Sequence, residues 1–434
     1  MQRWYISKTD WHSVKRGLEK SGMNLLLISG LIVSPEQPWL AFNIFLIVLA
    51  AFFLTLFVVI GWVSLYFARN DLVTFVELAH ANTVASGLWI LVSAHYLFKF
   101  PLGYDILRMV DKGIFEYDTK LNQAEVQKIR NTERLYTNTF KNFYRISLVV
   151  IFIILAIVAP ILIRIYVGEE RKKIKQLNYD LPVPGLFPFY TGNFLGFSCA
   201  YLLLITEIAL IFLYMSAAMP FLFFGIFEMV AQLRILKLSI MNLKSRALEK
   251  YQRGCENLSE AQLETLEHDP NYERCVKESL KENIRHHAEI LRFFNLYQNL
   301  TSTIYGVLIG VSMLILGSLS LVLTKTKLFS FETVKFATFF VVELVVIFGY
   351  CLMGTFITEV SKEIPRALYN IAWFNEHEKN KKMLKTFQFI SKIEIVLKGN
   401  GLFVIDLQIF VQIVKTTYSI FNIFTNMEKT DIQI

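Results

Sequence analysis

The sequence predicts an all-α membrane protein with seven transmembrane helices, a cytoplasmic N-terminus and an extracellular C-terminus. Three observations predict it. Apolar residues make up 54% of the 434 positions and charged residues only 18%, against about 25% charged in ordinary globular chains. Seven separate apolar runs reach the length of roughly 18 residues that a bilayer requires. The basic residues also gather on alternate connections between those runs. The charge deficit and the mean hydropathy of +0.44 argue against a cytosolic enzyme, a disordered regulator and a nucleic-acid-binding domain. A net charge of +8 then reads as basic cytoplasmic loops rather than a polyanionic partner.

Residues 1–39 are polar apart from NLLLISGLIV at 24–33. That run is too short to span and reads as a re-entrant or interfacial helix. The N-terminus shows no basic region followed by an apolar core, which predicts that the first long helix acts as the signal. The seven spans fall at roughly 40–67, 73–98, 146–167, 194–230, 302–324, 334–357 and 402–427. The fourth is long enough to tilt or to project from the bilayer. Between spans, 68–72 is a short turn and 99–145 a polar, helical connection. Residues 168–193, with EERKKIK and LPVPGLFP, form an irregular cap. Residues 231–301 are charged with helical spacing, and 325–333 are short. Residues 358–401 are amphipathic and close on Gly399-Asn400-Gly401, a helix stop. Four cysteines without a CxxC pair make no disulfide framework.

Orientation follows from the positive-inside rule. With the N-terminus inside, 33 of the 44 Lys and Arg fall in cytoplasmic segments and 10 outside. This is opposite to a G-protein-coupled receptor, whose acidic-Arg-aromatic and Asn-Pro-x-x-Tyr signatures are also missing. The sequons at Asn257 and Asn299 both fall on the cytoplasmic side, so a glycan on either would overturn this topology. No HExxH, phosphate loop or nucleophile elbow appears, which predicts a protein that is not an enzyme and holds no metal or cofactor. His286-His287 has no second ligand at i+4 and reads as packed or solvated.

The last span is the most informative. Gln408, Gln412, Lys415, Ser419, Asn422 and Asn426 are spaced by steps of three and four, so they share one helical face. Leu407, Phe410, Val411, Val414, Tyr418, Phe421 and Phe424 form the other. A polar stripe in a bilayer must face protein or water. It fits either an interhelical hydrogen-bond seam or a pore built from several copies of the helix. Ile423 and Met427 flank Asn426, the arrangement a dewetting gate needs. Lys415 faces an inner vestibule, snorkels, or pairs with Asp406.

Here the sequence resembles the insect odorant receptor family. The resemblance is carried by Ser361, Arg366-Ala367-Leu368-Tyr369, Trp373, Lys381-Lys382-Met383-Leu384, Gly401-Leu402-Phe403 and Lys415-Thr416-Thr417-Tyr418-Ser419-Ile420-Phe421. These cover about the last 70 residues, and chain length, span count and inverted orientation match as well. The related gustatory receptors end in Thr-Tyr-(x)5-Gln-Phe, and Thr417-Tyr418 here lacks the Gln-Phe. The resemblance implies a tetrameric, non-selective cation channel opened by small volatile molecules, in the plasma membrane of olfactory neuron dendrites. It implies a cytoplasmic anchor domain from 231–301 and 358–401, a bundle of spans one to four at 40–230, spans five and six at 302–357, and an extracellular tail at 428–434. The pore would be lined by 402–427, with Ser419, Asn422, Ile423, Asn426 and Met427 as pore and gate positions. Lys415, Asn422 and Asn426 make the last span more polar than in the family's co-receptor. The chain therefore reads as a ligand-tuning subunit, assembled with the co-receptor or as a homotetramer. A gustatory-type channel is the nearest alternative, followed by a metabotropic seven-helix receptor.

The resemblance also places the ligand in the outer half of spans two, three, four and six. Inward candidates there are Phe75, Ala79 and Asn82; Ile154 and Val158; Phe197, Tyr201 and Ile205; and Phe336, Phe339, Phe340 and Glu343. A volatile ligand calls for an aromatic and aliphatic pocket with one or two polar anchors. Glu343 is the sharpest anchor, because a carboxylate in a span is usually functional or paired, with His80 as one partner. Glu77, Glu207 and His95 are comparable polar sites in the spans.

Overall fold

A computed structural model describes residues 7–119, 123–158, 161, 177–253, 269–326, 330–371 and 373–431. The charged run to 176, most of 159–167, Cys255 and the sequon at Asn257 lie outside the described residues, as do the side chains of Asn426 and Met427.

Helix α1 (Lys8–Ser21) is capped at both ends. Ser7 Oγ accepts from Asp10 N, and Gly22 closes the last turn at φ 67. It packs along α5 (Phe100–Lys112), where Ser13 Oγ and the Arg16 guanidinium converge on Asp111 at 2.7 and 2.9 Å. The run at 24–33 is helical over one turn alone, Leu25–Ile28 (α2), and the segment is tucked into the bundle with Leu26, Leu31 and Ile32 buried. Its orphan backbone groups explain how. The Tyr96 hydroxyl donates to Gly30 O (3.0 Å), the Tyr104 hydroxyl to Val33 O (2.8 Å), and His95 Nε2 lies 2.9 Å from Leu31 O.

Among the described residues, six helices are long and apolar enough to cross a membrane. They are α3 (Trp39–Ala68), α4 (Leu72–Ala94), α6 (Gln123–Ile153), α7 (Phe194–Met241), α9 (Pro270–Lys325) and α10 (Phe331–Ser361). A π-helical turn at His95–Lys99 joins α4 to α5, and another at Ile154–Val158 extends α6. At 1.5 Å per residue the 48 residues of α7 and the 56 of α9 measure about 72 and 84 Å. A hydrocarbon core of about 30 Å takes less than half of each. The apolar spans and the charged segments that adjoin them are therefore single rods.

The polar ends of those rods pack with α8 (Leu243–Gln252), α11 (Glu363–Asn370) and α12 (Glu378–Ser391). Arg246 of α8 is fully buried at their centre. It bonds Thr119 Oγ1 (3.0 Å), Asn283 Oδ1 (2.8 Å) and Glu282, and lies 4.4 Å from the Tyr117 ring centre. His286 and His287 are packed. His286 stacks on Phe115 and bonds the Tyr117 hydroxyl (2.6 Å) and Gln232 Oε1 (3.0 Å). Burial, with His287 and Arg246 close by, drops its pKa to about 3 and keeps it neutral.

The Gly399-Asn400-Gly401 stop is a turn of a different kind. Helix α12 has already ended at Ser391, and β1 (Lys398–Gly399) pairs antiparallel with β2 (Phe403–Val404). Asn400 and Gly401 sit at φ 49 and 71, left-handed residues in the three-residue loop between the paired Gly399 and Phe403. Leu402 and Phe403 thus belong to the hairpin, and the last helix, α13, runs from Leu407 to Asp431. Asp406 Oδ1 caps it at Ile409 N (2.9 Å).

Candidate ligand bundle and pore helix

Helix α13 is 25 residues long, about 38 Å, and so can cross a bilayer despite its polar stripe. Gln408, Gln412, Lys415 and Ser419 are exposed and Asn422 is half-buried. The packed face is formed by Ile409, Ile413, Thr417 and Ile420, seated against α9 and α10, with Phe348 and Phe410 edge-to-face at 5.3 Å. That face differs from the apolar face read in the sequence. Val411, Val414 and Tyr418 remain exposed beside the stripe, as does Ile423. Asp406 serves as the helix cap, and Lys415 has no ion-pair partner among the described residues. One flank of α13 is thus seated in its own chain, while the wet stripe and a neighbouring apolar strip are open.

The ligand candidates fall into distinct clusters rather than one pocket lining. Phe339 and Phe340 pack with Val76, Phe336 and Leu319 where α4, α9 and α10 meet, and Phe339 stacks on His80 at 4.9 Å. Glu343 does not pair with His80. It accepts a hydrogen bond from Ser312 Oγ of α9. Glu77 pairs with Lys335 at 2.6 Å. Phe197 and Tyr201 stack at 5.9 Å and pack with Phe57, Ile60, Leu181 and Phe187, and the Tyr201 hydroxyl donates to Ala156 O. Ile205 is half-buried one turn further along α7. Ala79 lies against Tyr179 and Leu65. Asn82 is buried against Gly61, with no hydrogen-bond partner for its amide. Phe75, Ile154 and Val158 are exposed on the chain.

Several neighbours carry no signal in the sequence. Residues 177–187 fold over this end of α3 and α4, with Leu186 N bonded to Ser64 Oγ (2.9 Å) and Tyr179 within 3.4 Å of Thr74 Oγ1. Ser312 and Lys335 would have been found only as the polar groups that intramembrane carboxylates demand. Glu207 is 1% exposed and neither of its oxygens has a partner, which leaves it, with Asn82, as an unsatisfied polar group inside the bundle. Among the described residues no group of His, Cys, Asp and Glu could hold a metal ion.

A mostly helical bundle with membrane-length spans, an exposed polar stripe on the last helix and a polar-studded apolar interior is the architecture of an integral membrane protein. The chain matches the family model described as 7tm odorant receptor over residues 89–418, and it belongs to that family. It is an odorant receptor. Its fold is similar to that of the insect olfactory receptor OR5 from Machilis hrabei in complex with eugenol. The identity is 14% and the TM-score 0.70, covering 96% of this chain and 100% of that one. A second structure of that receptor is 12% identical at a TM-score of 0.68, covering 95% and 98%. No curated protein matches the chain.

Proposed function

We propose that this receptor is one subunit of a tetrameric, odorant-gated, non-selective cation channel in the plasma membrane of olfactory dendrites. Helix α13 lines its pore. The observation that carries the proposal is the open face of α13. Gln408, Gln412, Lys415 and Ser419 stay exposed while the opposite flank is seated in the chain. A stripe of that length has no stable place against lipid. Copies of α13 around a shared axis would wet it, and the adjoining Val411, Val414 and Tyr418 would then meet a neighbouring subunit. Ile423 and Met427 are the gate positions and Asn426 the polar one between them. The charged segments 231–301 and 358–401 hold the subunits together inside the cell, with the C-terminus outside.

The ligand is a small volatile molecule, held in the outer half of the bundle among Phe75, Ala79, Asn82, Ile154, Val158, Phe197, Tyr201, Ile205, Phe339, Phe340 and Glu343. Asn82 and Glu343 supply its polar anchors. The eugenol complex of a receptor of the same fold supports this class of ligand. The polarity of α13 supports a tuning subunit working with the family's co-receptor, or as a homotetramer. The test is excised-patch recording from cells expressing this chain with the co-receptor, without GTP, during pulses of a volatile panel. A fast cation current that needs this chain, and whose conductance changes with Ile423→Ala or Asn426→Ala, is the expected result. A current left untouched by both substitutions would remove α13 from the pore.

A further inference from the structure

The open stripe of α13 carries a single charge. Lys415 is the only charged residue between Asp406 and Glu428. Asp406 lies nine residues earlier, about 14 Å along the helix axis, and caps Ile409 N at 2.9 Å. The helices on which α13 is seated offer no counter-charge. Residues 302–324 of α9 and 334–357 of α10 hold one carboxylate between them, Glu343, and it accepts from Ser312 of α9. Among the described residues Lys415 has no ion-pair partner.

The helix sets the direction of this charge. The seated face is formed by Ile409, Ile413, Thr417 and Ile420. At 3.6 residues per turn, Lys415 lies about 155° around the axis from the middle of that face. Gln412 and Ser419, one turn to either side, are exposed with it. A charged side chain within a span turns to the protein interior or to a water-filled path. The interior of this chain lies on the seated side, which leaves the water. The other exposed groups of the stripe, Gln408, Gln412 and Ser419, are neutral, so nothing on α13 offsets the ammonium.

An ammonium beside a conduction path acts on each ion in proportion to its valence. At about 6 Å in water, one unit charge lowers the occupancy of a monovalent cation about threefold and that of a divalent cation about tenfold. The ratio of the two, about threefold, discriminates by valence. It does not separate Na+ from K+, because the two carry the same charge and an ammonium has no oxygen with which to coordinate either.

We propose that Lys415 is the valence filter of the pore, favouring monovalent over divalent cations along α13. The inference rests on the reading of α13 as the pore helix. The first test is reversal-potential recording from cells expressing this chain with the co-receptor, with Na+ on one side of the membrane and Ca2+ on the other. At about 10 mM salt the screening length is about 30 Å. Lys415→Gln matches the rest of the stripe and is expected to raise the permeability of Ca2+ relative to Na+ about threefold. Lys415→Glu, two charges from the wild type, is expected to raise it about tenfold. Lys415→Arg keeps the charge and is expected to keep the wild-type ratio. The differences should shrink at about 1 M salt, where the screening length is about 3 Å. A wild-type ratio in both Lys415→Gln and Lys415→Glu would overturn the filter. So would an arginine variant that shifts the ratio as far as glutamine does.

Lys415→Cys separates the filter from the pore assignment, with the wild type as control for the native cysteines. A water-soluble thiosulfonate bearing an ammonium restores the charge, and one bearing a sulfonate reverses it, in channels already folded and at the surface. Both are expected to alter the current, the first lowering the Ca2+ to Na+ permeability ratio and the second raising it. Modification that alters the current but not the ratio would leave α13 at the pore and overturn the filter. A thiol that neither reagent reaches, and that a biotinylated thiol reagent labels only after denaturation, would remove this face of α13 from the water path and the filter with it.

Discussion

Substituting Gly354 tests whether the seat of the last helix is as tight as the packing indicates. Gly354 lies on α10, and a Cβ there would sit 1.8 Å from Ile405 O, a backbone atom two residues before α13 begins. Ordinary contact starts near 3.4 Å, so Gly354→Ala must open the gap by about 1.6 Å. No side-chain rotation relieves a clash with backbone. Either α10 moves or the β2–α13 junction does, and Ile405 N is itself held by Leu397 O at 2.9 Å. Overpacking of this kind costs about 1–3 kcal/mol, and a backbone clash belongs at the upper end. With roughly 2.1 cal/mol/K of unfolding entropy per residue, 434 residues give about 0.9 kcal/mol/K. A 3 kcal/mol loss then lowers Tm by about 3 °C. Gly349 provides the control on the same helix. A Cβ there meets nothing within 4 Å, so Gly349→Ala is expected to leave Tm unchanged or raise it slightly through helix propensity. The assay is thermal unfolding in detergent, paired with single-channel recording, where Gly354→Ala is expected to change open probability. Equal Tm and equal gating for the two variants would refute the reasoning.

Other perturbations follow from the buried charges. Arg246→Met removes the guanidinium shared by Thr119, Asn283 and Glu282, while Glu282 keeps Lys250 at 2.6 Å; it should cost about 1–3 kcal/mol, read as a drop in Tm. Lys335→Met should destabilise by a similar about 3–5 kcal/mol because it leaves Glu77 buried without its cation; adding Glu77→Leu should recover most of that loss in the same melt. Glu133, in the polar half of α6, is raised from 4.5 to about 7, first by burial and then by Glu228. The folded state therefore holds an extra proton between about pH 4.5 and 7, and the stability that proton carries is lost as pH rises through that window. Glu133→Gln should flatten the fall in Tm across it, and an unchanged slope would count against the pairing.

Hydropathy read the spans well because lipid imposes a one-dimensional requirement, a run of apolar residues of fixed length. All seven spans were read that way, and six of them are helices long and apolar enough to cross a membrane among the described residues; α13 is set apart by the period of its polar residues. The register of packing was not legible. The sequence offers Leu407, Phe410, Val414 and Tyr418 as the obvious dry face of α13; Leu407 and Phe410 do pack, but Val414 and Tyr418 stay exposed while Ile409, Ile413 and Thr417 are seated. An apolar side chain is at home against lipid, protein or a neighbouring subunit, so polarity alone cannot select among them. The packing of the N-terminal run and the hairpin was not legible for a related reason. Leu26, Leu31 and Ile32 are buried where His95, Tyr96 and Tyr104 satisfy the backbone of residues 30–33, and the 398–404 turn is a hairpin because Gln298 and Ser302, about a hundred residues earlier, bond it. Long-range partners leave no local period.

The same distinction explains why the family was easier to read than the ligand. The residues that carry the resemblance build the joint beneath α13. The Ser361 hydroxyl donates to Thr358 O (2.7 Å) and accepts from Ile395 N (3.3 Å), while Thr358 Oγ1 donates to Ile395 O (2.9 Å). Lys385 lies 5.8 Å from the ring centre of Trp373. Gly401 supplies the left-handed residue the hairpin needs, and Thr417 is buried in the seat of the last helix. Each of these positions has one geometric task that few side chains perform, so its residue type is informative by itself. The candidate ligand positions have a looser task. Phe339, Phe197 and Tyr201 need only be large and apolar to pack as they do, and many aromatic residues would serve. In the proposed pocket the group whose hydrogen bonds are left open is Asn82, and specificity would rest on it, because an unsatisfied polar group discriminates between ligands by far more than an apolar contact does.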